Sequence, residues 1–412
     1  SIISFLLLAY STVNRPDAWL YHLPYSSIIN DSKIILGISN LHERFAHVSI
    51  FQYIASFFNN YLFFSNGIVI PISLVSSFFF LYIFREFNQN FLIKSKTVYS
   101  YLCFLILVLS LYTFNRYSEY GNDAQAHFYY LLFFLVLIKY LLIKKNINIT
   151  NELFLLSAFI FLIKPTFLIV ILIPIYLFLS TMIKNKNLMW RPFLFSLIFI
   201  FLWMLKNFFV MGCFIYPLKI TCINNVSWKA QNLEENILTN EAWSKGWPDQ
   251  TKDEELEKIE YINNFNWVKT WSSNHLFFIL NKILPFIIFL ILNFLILFFI
   301  KNLKKNTYEK NFLFLLIFSL FFFLLWFIKF PVYRLGISQI YLLIILIFFF
   351  IYIKNINSLK FSKYFKYFRN FIFIFSLIVL MKNTLRIIQN KSDQLVPNIY
   401  QADKKNINLI KV

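Results

Sequence analysis

Residues 153–180 read LFLLSAFIFLIKPTFLIVILIPIYLFLS, 28 residues in which Lys164 is the single charge. A membrane-crossing helix needs about twenty apolar residues, so this run is too long for one ordinary crossing. Lys144 and Lys145 precede it and Lys184 and Lys186 follow it. Short loops rich in Lys and Arg stay on the cytoplasmic side, so both ends of the run belong there. One straight helix cannot return to the side it left. Pro165 lacks a backbone donor and clashes with the preceding turn, which predicts a break at Lys164-Pro165. The economical reading is a re-entrant or broken hairpin of two short helices, with Lys164 at its apex in the outer half of the bilayer. Irregular backbone at that depth is tolerated where it lines a protein cavity. The alternative is one long tilted helix whose Lys164 snorkels towards the interface.

The rest of the 412-residue chain agrees with a membrane solvent. Hydrophobic residues make up 59% and charged residues only 14%, a balance that excludes a soluble domain. Phe alone occurs 55 times, so a single Phe carries little information. Further crossing segments are predicted near 1–10, 66–84, 98–114, 124–143, 193–210, 275–300, 311–328, 337–353 and 370–386. The first is about half the length of a crossing helix, which reads as a chain that has lost part of its first helix. Arg85/Lys94/Lys96, Lys301/Lys304/Lys305/Lys310 and Lys354/Lys360/Lys363/Lys366/Arg369 join the two basic loops already named on the cytoplasmic side. Of the 19 acidic residues, all except Glu86, Glu152 and Glu309 then lie outside, and so does the working chemistry. The net charge of +20 follows from this topology and gives no reason to expect a nucleic acid. Among the three cysteines, Cys213 and Cys222 share a predicted face and can form a disulfide; none of the spacings suits a metal.

Two external loops are long. In 11–65, Leu41, Phe45, Val48, Phe51/Gln52, Ala55 and Phe58 recur at helical spacing, predicting an interfacial amphipathic helix from Asn40 to Phe58. Asn40 and Glu43 suit its first turn. In 211–274, Thr251 to Ile259 reads as a soluble helix with acids at its start. Trp228, Trp243, Trp247, Trp267 and Trp271 crowd this second loop, as expected of material resting at the headgroup level.

Several polar residues are not explained by membrane insertion. Asp17 follows Pro16 after the first apolar run, and Tyr21 and His22 fall a helical turn away if Pro16 opens a short helix. Glu119 and Asp123 occupy a loop of about nine residues between two crossings, close to the membrane surface. Carboxylates from separate loops can hold a divalent cation, with Asp17 and Asp123 the candidates, or divide the work of base and orienting group. Lys164, Lys206, Lys329 and Arg334 form a complementary basic set, although Lys206 and Lys329 also fit helix-end anchors. Arginine forks bind phosphate oxygens bidentately and Lys supplies a point charge, so a phosphate-bearing ligand is expected.

Asp17-Ala18-Trp19-Leu20-Tyr21-His22-Leu23-Pro24, the Glu119-to-Asp123 loop, Lys164-Pro165, Gly212-to-Pro217 and Pro331-to-Arg334, in that order, resemble the polytopic GT-C glycosyltransferases. Within that group the chain looks like the branch of protein O-mannosyltransferases and aminoarabinose lipid A transferases. Members of that branch commonly carry a paired acid beside the first one; here the neighbours of Asp17 are Pro16 and Ala18. The resemblance implies an all-α polytopic membrane protein, a GT-C-like bundle of roughly 9–11 transmembrane helices spanning 1–412, with external amphipathic helices. It implies an inverting transfer of a sugar from a polyprenyl-phosphate donor to a glycan, lipid or protein acceptor. The setting would be a bacterial inner membrane with the active site facing the periplasm. Asp17 would be the first-loop acid, Asp123 or Glu119 the second-loop acid, and Lys164 and Arg334 contacts to the donor phosphate, with Tyr21, His22 and Lys206 also lining the substrate. Two other classes stay open: a lipid-linked polysaccharide polymerase or ligase, which would rely on external arginines, and a transporter, which commonly shows two similar halves.

Overall fold

The computed structural model describes residues 18–47, 49–58, 70–91, 97–114, 123–143, 147–182, 190–250, 256–298, 309–352 and 365–390. Asp17, Glu119 and the predicted first crossing at 1–10 lie outside them. The described chain is helical, with no strand among the described residues. A π-helical turn, Ala18–His22, leads into α1 (Leu23–Asp31), followed by α2 (Ile50–Phe58), α3 (Ile70–Phe91), α4 (Thr97–Thr113), α5 (Asp123–Leu142), α6 (Ile147–Ile163), α7 (Leu172–Met182) and α8 (Trp190–Met211). The second long loop contains α9 (Leu233–Ser244), α10 (Lys258–Ile262) and α11 (Trp267–Trp271); α12 (Phe277–Phe298), α13 (Glu309–Lys329), α14 (Tyr333–Tyr352) and α15 (Phe365–Asn390) complete the bundle.

Seven helices are long and apolar enough to cross a membrane among the described residues, so the chain is an all-α polytopic membrane protein. Eight of the nine predicted crossings coincide with a helix, because uninterrupted apolar runs leave the backbone no partner in lipid except itself. α5 is the central one. Its 20 residues reach about 30 Å, the thickness of the hydrocarbon layer, and it packs against α3, α4, α6 and α14. The opposite case is α8, whose Phe195, Ile198, Phe201 and Leu202 stand exposed on one flank where acyl chains would cover them.

Around Lys164 the chain folds back. Lys164 is extended (φ −150°, ψ 109°) and a 3-10 segment, Pro165–Ile171, follows it, as a residue preceding proline is pushed out of the helical region. Phe154 in the first half of α6 lies 5.5 Å from Phe178 in the second half of α7, and both reach Phe193 at the start of α8, at 5.1 and 4.7 Å. The two legs are therefore antiparallel, and their basic-flanked ends share one end of the bundle.

α12 contains Pro285, which cannot donate to the preceding turn. Nearby, the Lys282 carbonyl accepts from the hydroxyls of Tyr112, at 3.0 Å, and Tyr341, at 2.9 Å. A buried ion pair joins α5 to α3 near the basic-loop end: Lys139 Nζ lies 2.9 Å from Glu86 Oε1, and Asn90 Nδ2 donates to Glu86 Oε2 at 3.0 Å.

The loops depart from their predicted form. Residues 40–58 are not one helix: short 3-10 turns at Ile38–Asn40 and Glu43–Ala46 precede α2. Of the predicted apolar face, Phe45, Phe51, Gln52 and Ala55 are buried, whereas Leu41 is 75% exposed. The Glu43 turn is capped by His42, whose Nδ1 accepts from Arg44 N. Asn40 is used elsewhere, donating to the Trp228 and Lys229 carbonyls and accepting from Gln231 N. It thereby ties the first long loop to the second. Gly37 makes this approach feasible: at φ +65° a Cβ would stand 2.8 Å from the Trp228 carbonyl oxygen.

In the second loop a helix forms at α9, with Glu234 and Glu235 in its first turn. Near the predicted Thr251–Ile259 helix only α10 appears, starting at Lys258, while 251–255 lie outside the described residues. The Trp residues are structural more than interfacial. Trp267 and Trp271 are buried against Phe327, and Trp271 Nε1 donates to the Pro331 carbonyl at 2.7 Å. Only Trp243 of the five is largely exposed, at 59%. Cys213 and Cys222 form a disulfide.

Candidate functional site

Three elements converge at the end of the bundle opposite the basic loops. Asp123 opens α5, where a carboxylate complements the partial positive charge of the helix start. Lys164 arrives beside it at the break after α6, and its ammonium donates to Asp123 Oδ1. Arg334 comes from the first turn of α14, placing Nε 3.9 Å from Asp123 Oδ2. Pro331 ends the helical path of α13, and α14 restarts at Tyr333; Arg334 is thus on a helix and not in the very short loop that the sequence predicts. Asp123 and Lys164 are three-quarters buried or more, while the Arg334 side chain is 53% exposed. A carboxylate thus holds two cations, one sheltered and one facing outwards.

His127 supports this arrangement from one turn deeper in α5. Its Nε2 lies 2.8 Å from the Arg334 carbonyl oxygen and its Nδ1 2.7 Å from Ser338 Oγ. A carbonyl only accepts, so Nε2 carries the proton; the Ser338 hydroxyl lies between His127 Nδ1 and Gln339 Oε1, at 2.7 and 3.1 Å. The imidazole therefore fixes the turn that carries Arg334. Sequence reasoning missed His127; the available signal was its position four residues after Asp123, on the same helix face.

His47 borders the cluster from the first long loop, edge-on to Tyr216 at 4.7 Å. The residue keeps contact with solvent; the crowding around its ring, then the positive charges of Arg44 and Lys164, lower its pKa from the ordinary 6.5. It stays neutral at physiological pH.

The remaining predicted residues gather elsewhere. His22 Nδ1 meets Gln52 Nε2 at 3.2 Å, and the Tyr21 ring stacks near His42 at 6.3 Å. Beside Gln52, Tyr53 meets Trp203 at 5.6 Å, and Lys206 lies over Trp203. Tyr21, His22 and Lys206 thus belong to one group on the π-helical turn and α8, with Gln52 and Tyr53 of α2 between them, and Asp123, Lys164 and Arg334 to another on α5, the break after α6, and α14. Lys329 is a loop clamp: it pairs with Glu241 Oε2 at 3.4 Å, and Glu241 Oε1 pairs with the buried Lys245 at 2.7 Å.

A divalent cation between Asp17 and Asp123 is one of the two uses open to these carboxylates, and Asp17 lies outside the described residues. Both oxygens of Asp123 already face cations, so an ion held there would have to displace Lys164 or Arg334. Among the described residues no three His, Cys, Asp or Glu side chains converge on a metal position. The donor set at Asp123 fits an anionic ligand, attracted by the second cation, better than a cationic one.

No curated protein and no solved structure matches the chain. A family described as a domain of unknown function (DUF8201) matches residues 1–341, a stretch that contains every candidate residue from Asp17 to Arg334. Because the match covers 341 of 412 residues, the chain belongs to the DUF8201 family.

Proposed function

We propose that the chain is a membrane glycosyltransferase, transferring a sugar from a polyprenyl-phosphate donor to an acceptor on the extracytoplasmic side with inversion. The observation that carries this reading is the Asp123 carboxylate between Lys164 and the exposed Arg334. A glycosyl transition state is oxocarbenium-like and leaves a phosphate. Lys164 and Arg334 would neutralise that phosphate as its charge grows, the largest type of contribution that fixed groups make. Asp123, already paired with both, would keep the two cations in place and is a poor base for that reason. The base would be Asp17: the acceptor O–H proton passes to its carboxylate, the acceptor oxygen bonds to the anomeric carbon, and the C–O bond to phosphate breaks with its electron pair leaving on the phosphate.

The test is release of free polyprenyl phosphate from a mixed pool of lipid-linked sugars by the native protein and by Asp17→Asn and Arg334→Ala in membranes. Native release, lost in Asp17→Asn and needing more donor in Arg334→Ala, supports the reading. Release that ignores both substitutions removes them from the site. No release from the native protein favours polymerisation or transport.

A further inference from the structure

Lys206 lies in α8, five residues before its end at Met211, where the helix packs under the first long loop. The residue is 7% exposed, and among the described residues its ammonium has no hydrogen-bond acceptor. It lies over two ring faces, 3.6 Å from the centroid of Trp203 and 5.4 Å from that of Tyr53. Three residues earlier on the same helix face, Trp203 Nε1 is a second buried donor without an acceptor. The Tyr25 and Tyr53 hydroxyls bond to each other at 3.3 Å, which uses only one of their two protons. Donors therefore outnumber acceptors here. A ring face attracts an ammonium, but weakly beside the cost of removing that ion from water.

We infer that this place is an oxyanion site, in which a phosphate or carboxylate accepts from Lys206 Nζ and Trp203 Nε1. It differs from the Asp123 cluster, where the protein supplies its own counter-charge. Lys206 stands about 8 Å along the helix from the end of α8, a depth at which a headgroup phosphate of a lipid and a phosphate from the water can both arrive. The inference does not require a transfer reaction; it requires an anion at this position.

The test uses the full chain in nanodiscs and reads melting temperature with inorganic phosphate at constant ionic strength, and separately with phosphatidylglycerol replacing part of the phosphatidylcholine. The native protein melts higher with at least one of the two, since a ligand that binds only the folded state stabilises it. A response to phosphate alone identifies a soluble source, and a response to phosphatidylglycerol alone a lipid source. Lys206→Met melts at or above the native protein without anion and loses the part of the response that Lys164→Met keeps; Lys206→Arg retains that part. A native protein that responds to neither probe, or a Lys206→Met variant that responds as the native protein does, overturns the inference. Lys164→Met is the control. If it abolishes the response while Lys206→Met does not, the anion binds at the Asp123 cluster, which supports the transferase reading and removes this one.

Discussion

The ammonium of Lys164 donates to the Asp123 carboxylate, joining a helix start to a helix break 41 positions away. This bond makes the hairpin apex part of a charged cluster. Without it Lys164 would be an unpaired cation at the turn of an apolar hairpin, an expensive arrangement in a membrane protein. The same carboxylate reaches Arg334 at 3.9 Å, so three segments distant in sequence are oriented by one acid.

The coupling is measurable. In a double-mutant cycle of Asp123→Asn and Lys164→Met, each single substitution destabilises by about 1–3 kcal/mol, because it leaves a partly buried charge without its partner. The double variant loses less than the sum. Strictly additive losses in denaturant titrations would show that the two side chains do not interact.

A second pair acts at the other end of α5. The Glu86 side chain, 9% exposed, is more deeply buried than Asp123, while Lys139 keeps 28% exposure. Lys139→Met leaves a buried carboxylate that keeps Asn90 as a donor but has lost its counter-charge and is expected to cost about 3–5 kcal/mol. Combining it with Glu86→Leu should recover most of that loss. The recovery is the diagnostic result, since two independent packing defects would not compensate each other.

Much of this was legible in the sequence where a local cause decides. The apolar runs gave the helices, and Lys164-Pro165 with basic residues on both flanks predicted the fold-back, because proline chemistry and loop charge both act locally. The grouping of Asp123 with Lys164 and Arg334 is implied by the family resemblance and not by the residues themselves. It depends on which faces of α5, α6 and α14 pack together, and no spacing in the chain encodes that. Glu86–Lys139 was hidden for the same reason. Trp267 and Trp271 misled because a tryptophan near a membrane loop suits the interface, whereas here the loop folds onto the bundle and Trp271 bonds to Pro331. The 40–58 stretch has helical spacing, yet His42 and Asn40 find partners that interrupt a continuous helix.

The disulfide between Cys213 and Cys222 closes a separation of 9 residues. A cross-link of that span restricts the unfolded chain enough to stabilise by about 2–3 kcal/mol. Cys222→Ser should lower the melting temperature by a corresponding amount, and a reductant should lower the native protein to the same value without affecting the variant further.

His47 gives a pH signature. Its folded-state pKa is depressed, so the folded protein binds fewer protons than the unfolded chain, and stability falls as pH drops below the ordinary value near 6.5. Above that value the residue contributes no pH dependence. His47→Gln should flatten the stability profile between about pH 6.5 and 5 relative to the native protein; an unchanged profile would place the titrating group elsewhere.

Gly336 tests whether the turn carrying Arg334 must be seated closely. A Cβ at this position would lie 2.2 Å from Trp326 Cε2, an overlap that something must relieve. The indole cannot swing away freely, because Trp326 Nε1 donates to the Val332 carbonyl at 3.0 Å. The first turn of α14 must therefore move, and Arg334 with it. Gly336→Ala is expected to cost about 1–3 kcal/mol in stability through overpacking and to weaken anion binding at the Asp123 cluster more than that loss alone explains. Trp326→Phe on the Gly336→Ala background frees the overlap, since a phenyl ring is smaller and has no bond to Val332. Recovery of anion affinity in the double variant ties Arg334 to the packing beneath it; persistent loss would mean that the alanine acts through some other part of the helix.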